Sequence, residues 1–510
     1  MKFNLQKTRL IVALLMVQII AFGQDLKRST PEEEGVSSKA ISEWIKSYSS
    51  EKHELHSIMI LRNGKVIAEG WAKPYAAELK HSMYSVSKSW TSTAIGLLVD
   101  EGKLSVTDKV ISFFPEYSDI KTNQYLQDLR VKDLLTMSAG HKVEPIRAIV
   151  PFSDNWLKGF LSAATDYKPG TKFLYNTLAT YVLSAIVQKV SGQTTLTYLD
   201  GKLLKPLGIQ QIDWEKDPKG INVGGWGIRV KTEDMAKLGQ LYLQKGKWNG
   251  KQILSEKWVN EATSKQIEQE PEARQSKKDS SDWLQGYGYQ FWRSRNGAFR
   301  ADGAYGQYII VFPEKDAVVI ITSESLDLQD DLNNIWKHLF PAFSDKKLPN
   351  NKLEQKKLQE QLAEMRIESP QSNASDHWND FDQKPIELSS NFLGLKSIAF
   401  KKDGQNVALS LTDGLGNYSI PLSENTFTLS ETNLKGPYLL RLAKNALEGL
   451  SPFKIAASYY WLKDGSLGIT IRYIESPHHW DMKVNKSSNG YTLQIVNSFD
   501  KSNPVEIKGN

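Results

Sequence analysis

The chain has 510 residues, 40% of them hydrophobic, which is enough for more than one core and suggests two or three domains. Three units of its formal charge of +6 lie in residues 1–23, so the rest is too weakly basic to point to nucleic acid or a membrane surface as a partner. The absence of cysteine excludes a disulfide framework, a cysteine nucleophile and a lipid-modified cysteine.

In chain order, Lys2, Lys7 and Arg9 precede an apolar run from Leu10 to Phe22, followed by Gly23-Gln24-Asp25. This reads as a secretory signal peptide over residues 1–23 and predicts an exported protein, periplasmic or extracellular. The run is interrupted by Gln18 and is shorter than the ~20 residues of a membrane span, so no stable span is expected once the signal is removed. Ser57 to Gly70 forms two apolar stretches around Asn63-Gly64, a strong hairpin signal. Next comes Tyr84-Ser85-Val86-Ser87-Lys88-Ser89-Trp90, opening a segment with Trp90, Ala94, Ile95, Leu97 and Leu98 at helical spacing and Gly102 as a stop. Further helices are predicted around 131–138, 178–190, 232–245 and 255–263. A second hairpin pairs Gln307–Phe312 with Ala317–Thr322 across Pro313-Glu314-Lys315-Asp316. These elements predict an α/β domain over residues 24–348: a mixed, mainly antiparallel sheet built from both ends, flanked by helices, with a mostly helical subdomain. Residues 349–384 read as a charged helix (Lys352 to Arg366) and a polar linker. Residues 385–510, with alternating runs between Asp-Gly, Gly-Asn and Asn-Gly signals, predict an all-β accessory domain, sandwich or barrel.

Ser85 and Lys88 carry the chemistry. Three residues apart on a helix, hydroxyl and amine share a face, and a neutral amine can take the serine proton without histidine. The first helical turn adds free N–H groups and a positive dipole end suited to an oxyanion. The Ser-x-x-Lys pattern also occurs at Ser49/Lys52, Ser118/Lys121, Ser344/Lys347, Ser451/Lys454 and Ser498/Lys501, but the Ser85 copy is the one that opens a long apolar-periodic helix. Two later segments supply the remaining groups: Tyr175, on a turn after Pro169-Gly170 where its phenol can move a proton, and Arg300-Ala301-Asp302-Gly303-Ala304-Tyr305-Gly306-Gln307, where glycine lets a strand approach a ligand closely. Without a family context, Tyr175 reads more readily as a half-buried aromatic, and the Arg300–Gln307 segment reads equally well as a plain hairpin entry.

In this order the three segments resemble the serine β-lactamase-related superfamily, specifically the branch of class C β-lactamases, D-alanyl-D-alanine carboxypeptidases, esterases and 6-aminohexanoate-dimer hydrolases. Ser85-Val86-Ser87-Lys88 stands at its Ser-x-x-Lys, Tyr175-Asn176-Thr177 at its Tyr-x-Asn, and Ala301-Asp302-Gly303 at its Lys/His-x-Gly. The resemblance implies Ser85 as nucleophile, Lys88 and Tyr175 as proton-transfer partners, and the Ser85 and Ala304 amides as the oxyanion hole, with Gly303 and Asn176 in oxyanion or substrate binding. Asp133–Gly140, Gly224–Gly227 and Asp234–Gly239 support it, and it spans roughly residues 30 to 340. Two positions depart from the pattern. Thr177 takes the third tyrosine-motif position, with asparagine displaced to Asn176, and Ala301 replaces the cation that holds a substrate carboxylate. The second change shifts the expected substrate from β-lactams and D-alanyl peptides to a small-molecule or peptide-like ester or linear amide.

The eight histidines include no nucleophile elbow, and neither His53/Glu54/His56 nor His478/His479 is a recognised ligand set, so no metal and no cofactor are expected. His81 reads as structural. Trp226, Trp283, Tyr287, Tyr289 and Trp292 are candidates for an apolar pocket or for core. No motif in the accessory domain assigns it a role, so cleft wall, binding module and bracing stay open. Against an active hydrolase stands one rival, a penicillin-binding-like sensor that keeps the fold without turnover.

Overall fold

The computed structural model describes residues 26–48, 52–381, 384–440, 443 and 446–510. The expected signal peptide, residues 1–23, lies outside them. The first sheet has seven strands: β1 (Lys27–Arg28), β2 (His53–Arg62), β3 (Lys65–Trp71), β4 (Trp292–Arg293), β5 (Phe299–Gly303), β6 (Gln307–Phe312) and β7 (Ala317–Ser325). Their order is β1-β3-β2-β7-β6-β5-β4, with β1 parallel to β3 and every other neighbour antiparallel. The sheet is thus assembled from both ends of its domain, with the helical region between β3 and β4. The Asn63-Gly64 turn has φ of 51° and 71°, the left-handed pair that suits the twist of a two-residue hairpin.

Both faces of this sheet are buried, which is why β2, β6 and β7 read as apolar runs rather than as clean alternation. Ile58, Ile60, Val319 and Ile321 face one core, which α1 (Ser38–Ser47) and a helix from Leu328 cover. Met59, Leu61, Val318 and Ile320 face the other. That second core holds α2 (Ser87–Asp100), α3 (Thr177–Ser191) and α4 (Thr232–Leu243), with α4 against β2, β6 and β7 and α2 against α3. The helix α5 (Lys352–Ala363) packs back on α1 and β3, and the polar segment after it is bound along the second domain through Ser369 and Ser372.

The C-terminal strands are β8 (Ile386–Glu387), β9 (Ser397–Asp403), β10 (Asn406–Thr412), β11 (Asn417–Glu424), β12 (Thr428–Thr432), β13 (Phe453–Trp461), β14 (Leu467–Tyr473), β15 (His479–Ser487), β16 (Gly490–Asn497) and β17 (Val505–Gly509). They form one sheet, parallel between β11 and β13 and antiparallel elsewhere, with β12 pairing on β13. Reciprocal bonds of 3.1 and 3.0 Å between Glu387 and Asn510 join β8 to the end of β17 and close the sheet into a barrel. Inward Leu409, Ile420, Ile455, Trp461 and Ile469 fill it. No helix among the described residues is long and apolar enough to cross a membrane.

The two domains are tied by buried and half-buried ion pairs. Arg472 on β14 forks onto Glu54 of β2 at 2.5 and 3.1 Å, and Arg229 bridges Asp213 and Glu475. The buried hydrogen bond between His56 and His81, 3.1 Å, lies in the same seam, in keeping with a structural role for His81.

Candidate active site

Ser85 lies in a 3₁₀ turn, Tyr84–Val86, that runs directly into α2. Tyr84 has φ of 45°, a left-handed conformation that costs a bulky residue roughly 1–3 kcal/mol and persists only where the surroundings impose it. One helical turn on, Lys88 comes back over the serine, with Nζ 2.9 Å from Ser85 Oγ. Lys88 is 1% exposed, whereas Ser85 is only partly buried. The bonded neighbours of Nζ are neutral oxygens: the Gly225 carbonyl at 2.7 Å, Ser85 Oγ, and Thr177 Oγ1 at 3.5 Å. Burial pushes the ammonium down to about 7, against the opposing charges of Glu144 and Asp302. A neutral amine in this position donates to Gly225 and keeps its lone pair for the serine proton.

Tyr175 closes the other side of the pair. Lys88 Nζ lies 4.8 Å from the centre of its ring, and Ser85 is among the groups that act on its phenol. Burial raises the phenol well above its ordinary value even though the Ser85 contact works the other way, so at neutral pH Tyr175 holds its proton. The base-competent member of the trio is therefore the lysine.

Asn176 is the N-cap of α3: its Oδ1 accepts from Ala179 N–H at 3.1 Å and its Nδ2 lies 3.3 Å from His141 Nδ1. These bonds use one of the two lone pairs of Oδ1 and one hydrogen of Nδ2, and they hold the side chain back on its own helix. Thr177 places the polar atom of this motif near the lysine instead.

The strand β5 arrives beside the Tyr84–Val86 turn at Gly303. A Cβ built there would lie 2.4 Å from the Met83 carbonyl oxygen, so no larger residue fits without moving strand or turn. Gly303→Ala is expected to lower turnover by roughly 10²-fold while the protein stays folded, since it shifts the strand end relative to Ser85. Steady-state kinetics with a chromogenic ester, beside a far-UV spectrum, checks this; an unchanged rate would show that β5 is not part of the site. Ala301 is buried in the main core. The adjacent Arg300 does not stand in for the missing cation. It is fully buried, bonded to Asp302 at 2.8 Å and stacked 4.7 Å from Trp283.

Of the five aromatic candidates, Trp292 stacks on Tyr175 at 5.4 Å, with Tyr287 edge-on to it and Trp283 alongside. Tyr289 and Trp226 belong to the main core, against Trp258 and Trp156.

Several groups at the site carried no sequence signal. Glu144 accepts from Thr177 N–H at the start of α3, and its charge acts on both Lys88 and Tyr175. The Gly225 carbonyl holds Lys88, within a segment that sequence reasoning marked but gave no role. From the barrel domain, Tyr438 Oη accepts from Trp226 Nε1 at 2.8 Å and donates to Glu215 at 2.7 Å, and His478 reaches Tyr84. Glu54, Glu324 and His479 bring ligand atoms within 4.8 Å of one another, but Glu54 is taken by Arg472 and His56, and Glu324 by His478 and Ser498. This is the donor pattern of an interdomain polar network.

The family model described as Beta-lactamase matches residues 52–340, more than half of the chain and every element of this site outside the barrel. The chain belongs to the Beta-lactamase family. Within that family it is 25% identical to a 6-aminohexanoate-dimer hydrolase of Paenarthrobacter ureafaciens over 285 residues, covering 52% of this chain and 71% of that protein. It is 22% identical to the "Putative D-alanyl-D-alanine carboxypeptidase" of Salmonella agona over 253 residues, 43% of this chain and 58% of that one. Among solved structures it is similar to the "Putative 6-aminohexanoate-dimer hydrolase from Bacillus anthracis", with a TM-score of 0.51, 19% identity, and coverage of 64% of this chain and 92% of that chain. That likeness establishes the fold. The curated relatives are hydrolases of the serine β-lactamase-like superfamily.

Proposed function

We propose that the protein is a serine hydrolase that cleaves a carboxylic ester or linear amide through an acyl-enzyme on Ser85. The observation that carries this reading is Lys88, buried among neutral oxygens with its amine 2.9 Å from the Ser85 hydroxyl. The serine oxygen attacks the substrate carbonyl as its proton passes to Lys88. The oxyanion is met by the Ser85 and Ala304 amides, and Tyr175 O–H gives its proton to the leaving alcohol or amine and is reprotonated from Lys88. Water then attacks the acyl carbon, losing its proton to the same pair, and Ser85 leaves with a proton restored. Ala301, and an Arg300 tied to Asp302, leave no cation on this strand for a substrate carboxylate, which favours esters and linear amides over β-lactams. The resemblance to 6-aminohexanoate-dimer hydrolase supports the amide arm. Export belongs to the same reading, on the strength of Lys2, Lys7, Arg9 and the Leu10 to Phe22 run. The secreted form is expected to begin near Gln24, and recovery of the chain with Met1 retained would remove this part.

A fluorophosphonate probe followed by intact mass, with Ser85→Ala as control, tests the chemistry. One adduct on the unsubstituted protein and none on the variant is the expected result. An adduct on both, or on neither, would falsify the reading. A panel of p-nitrophenyl esters, nitrocefin and a D-alanyl dipeptide then separates substrate classes, with ester turnover exceeding nitrocefin turnover. Acylation without release on every substrate would favour the sensor reading instead.

A further inference from the structure

The barrel lies outside the matched residues 52–340, yet it reaches the turn that presents Ser85. His478, fully buried just before β15, places Nε2 2.6 Å from Tyr84 Oη and Nδ1 2.6 Å from a carboxylate oxygen of Glu324 on β7. A carboxylate only accepts, so Nδ1 carries the ring proton and Nε2 is left to accept from the Tyr84 hydroxyl. Burial pushes the imidazole down and the phenol up, in keeping with a neutral ring and a protonated phenol. Glu324 is held in turn by Ser498 Oγ of the barrel at 2.6 Å. Glu324 is thus held by two barrel side chains, and Tyr84 is the residue before Ser85.

The imidazole also touches the opposite side of the site. Its ring meets Tyr305 edge-on at 4.7 Å and Phe499 at 4.5 Å, and Tyr305 follows Ala304 in the turn after β5. Tyr84 stands in a left-handed conformation that its own chemistry disfavours, so something outside the turn must hold it. Two of the bonds that do so come from the barrel: His478 to the Tyr84 side chain, and the Glu475 carbonyl, which accepts from Ser82 N–H at 3.0 Å. A third, Ser87 Oγ to the Tyr84 carbonyl at 2.6 Å, is local.

We propose that His478 is a positioning residue for Ser85, acting from the barrel domain through its hydrogen bond to Tyr84. The proposal rests on the acyl-serine reading of Ser85. The role it gives the C-terminal domain is to hold the strained turn on which the Ser85 hydroxyl and amide are presented. The family domain by itself is then an incomplete catalyst.

The test uses the full chain and three variants. Tyr84→Phe removes one hydroxyl and keeps every packing contact. His478→Phe keeps ring volume and loses both bonds, and His478→Gln keeps an acceptor near the Nε2 position. The rate of fluorophosphonate labelling and kcat for a p-nitrophenyl ester are expected to fall about tenfold or more in Tyr84→Phe and His478→Phe, with KM changed less than about twofold. The double variant is expected to be no slower than the worse single one, because both substitutions break the same bond. His478→Gln is expected to recover part of the loss. Labelling at the unsubstituted rate in folded Tyr84→Phe overturns the proposal, and this variant carries the test where His478→Phe folds poorly. Equal losses in His478→Gln and His478→Phe, or additive losses in the double variant, overturn it as well. If the unsubstituted protein does not label at Ser85, the underlying reading fails first and the proposal with it.

Discussion

Lys88→Met is expected to slow acylation of Ser85 by roughly 10³-fold and, at the same time, to raise the unfolding temperature of the protein. The two effects have one cause. An amine that is 1% exposed and bonded to neutral oxygens is costly to keep as a cation, so its folded-state value falls to about 7. In the unfolded chain the same group titrates near its ordinary value of 10.5. Between these limits the unfolded chain binds more protons, so the native state gains stability as pH rises from 7 toward 10.5 and bears the full penalty below 7. At ~1.4 kcal/mol per pH unit the gross penalty is a few kcal/mol, from which the unsatisfied Gly225 carbonyl in the variant takes back roughly 1–3 kcal/mol. Methionine, of similar length and apolar, should therefore stabilise the fold by roughly 1–3 kcal/mol at pH 6 and bring no gain near pH 10.5. Calorimetry across that range measures it, and a variant less stable than the parent at pH 6 would count against a neutral lysine. The same titration sets the rate: acylation of the unsubstituted protein should rise with pH through about 7 as Lys88 loses its proton, and a flat profile between pH 5.5 and 8.5 would remove Lys88 as the base.

Asp302→Ala is expected to cost roughly 3–5 kcal/mol of stability, the range for leaving one partner of a buried ion pair without the other. Arg300 is fully buried between Trp283 and Trp292, with Nε on Asp302 at 2.8 Å and Nη1 on the Asp282 carbonyl and Ser294. Its Nη2 already lacks a partner among the described residues. The carboxylate of Asp282 is engaged with Arg295, Gln329 and Trp336, so it is not free to replace Asp302. Removing both charges together, as in Arg300→Met with Asp302→Leu, should lie much closer to the parent, because no uncompensated charge then stays buried. Urea unfolding of the two single variants and the double one checks this. A single Asp302→Ala loss below about 1 kcal/mol would show that the pair is solvated in solution and that Arg300 is available to the cleft, reopening substrates with a carboxylate.

Local pattern explains why the Ser85–Lys88 pairing was readable. Ser85 and Lys88 meet because residues three apart share a helix face, so their juxtaposition is written in four letters. The hairpin at Asn63-Gly64 and the helices Thr177–Ser191 and Thr232–Leu243 follow equally from turn chemistry and short-range periodicity. Around 131–138 the expected helix stops at Leu135, because Met137 turns left-handed to start the loop toward the site. The capping bond of Asn176 to Ala179 N–H carried no separate signal, because an asparagine at a helix start reads the same whether or not its side chain turns back on the helix.

The sequence by itself determined the pairing of Ser85 with Lys88, the class of the fold, and the all-β character of residues 385–510, because each depends on spacing within one or two elements. Only the tertiary structure decided whether those last strands close into a barrel, since closure depends on Glu387 meeting Asn510. It likewise decided that Gly225 holds Lys88 across 137 positions and that His478 reaches Tyr84 across 394. Such partners are chosen by how two cores pack against each other, and no period in the chain encodes that choice. The burial that lowers Lys88 to about 7 is of the same kind: the amine belongs to the sequence, but its proton affinity belongs to everything folded around it.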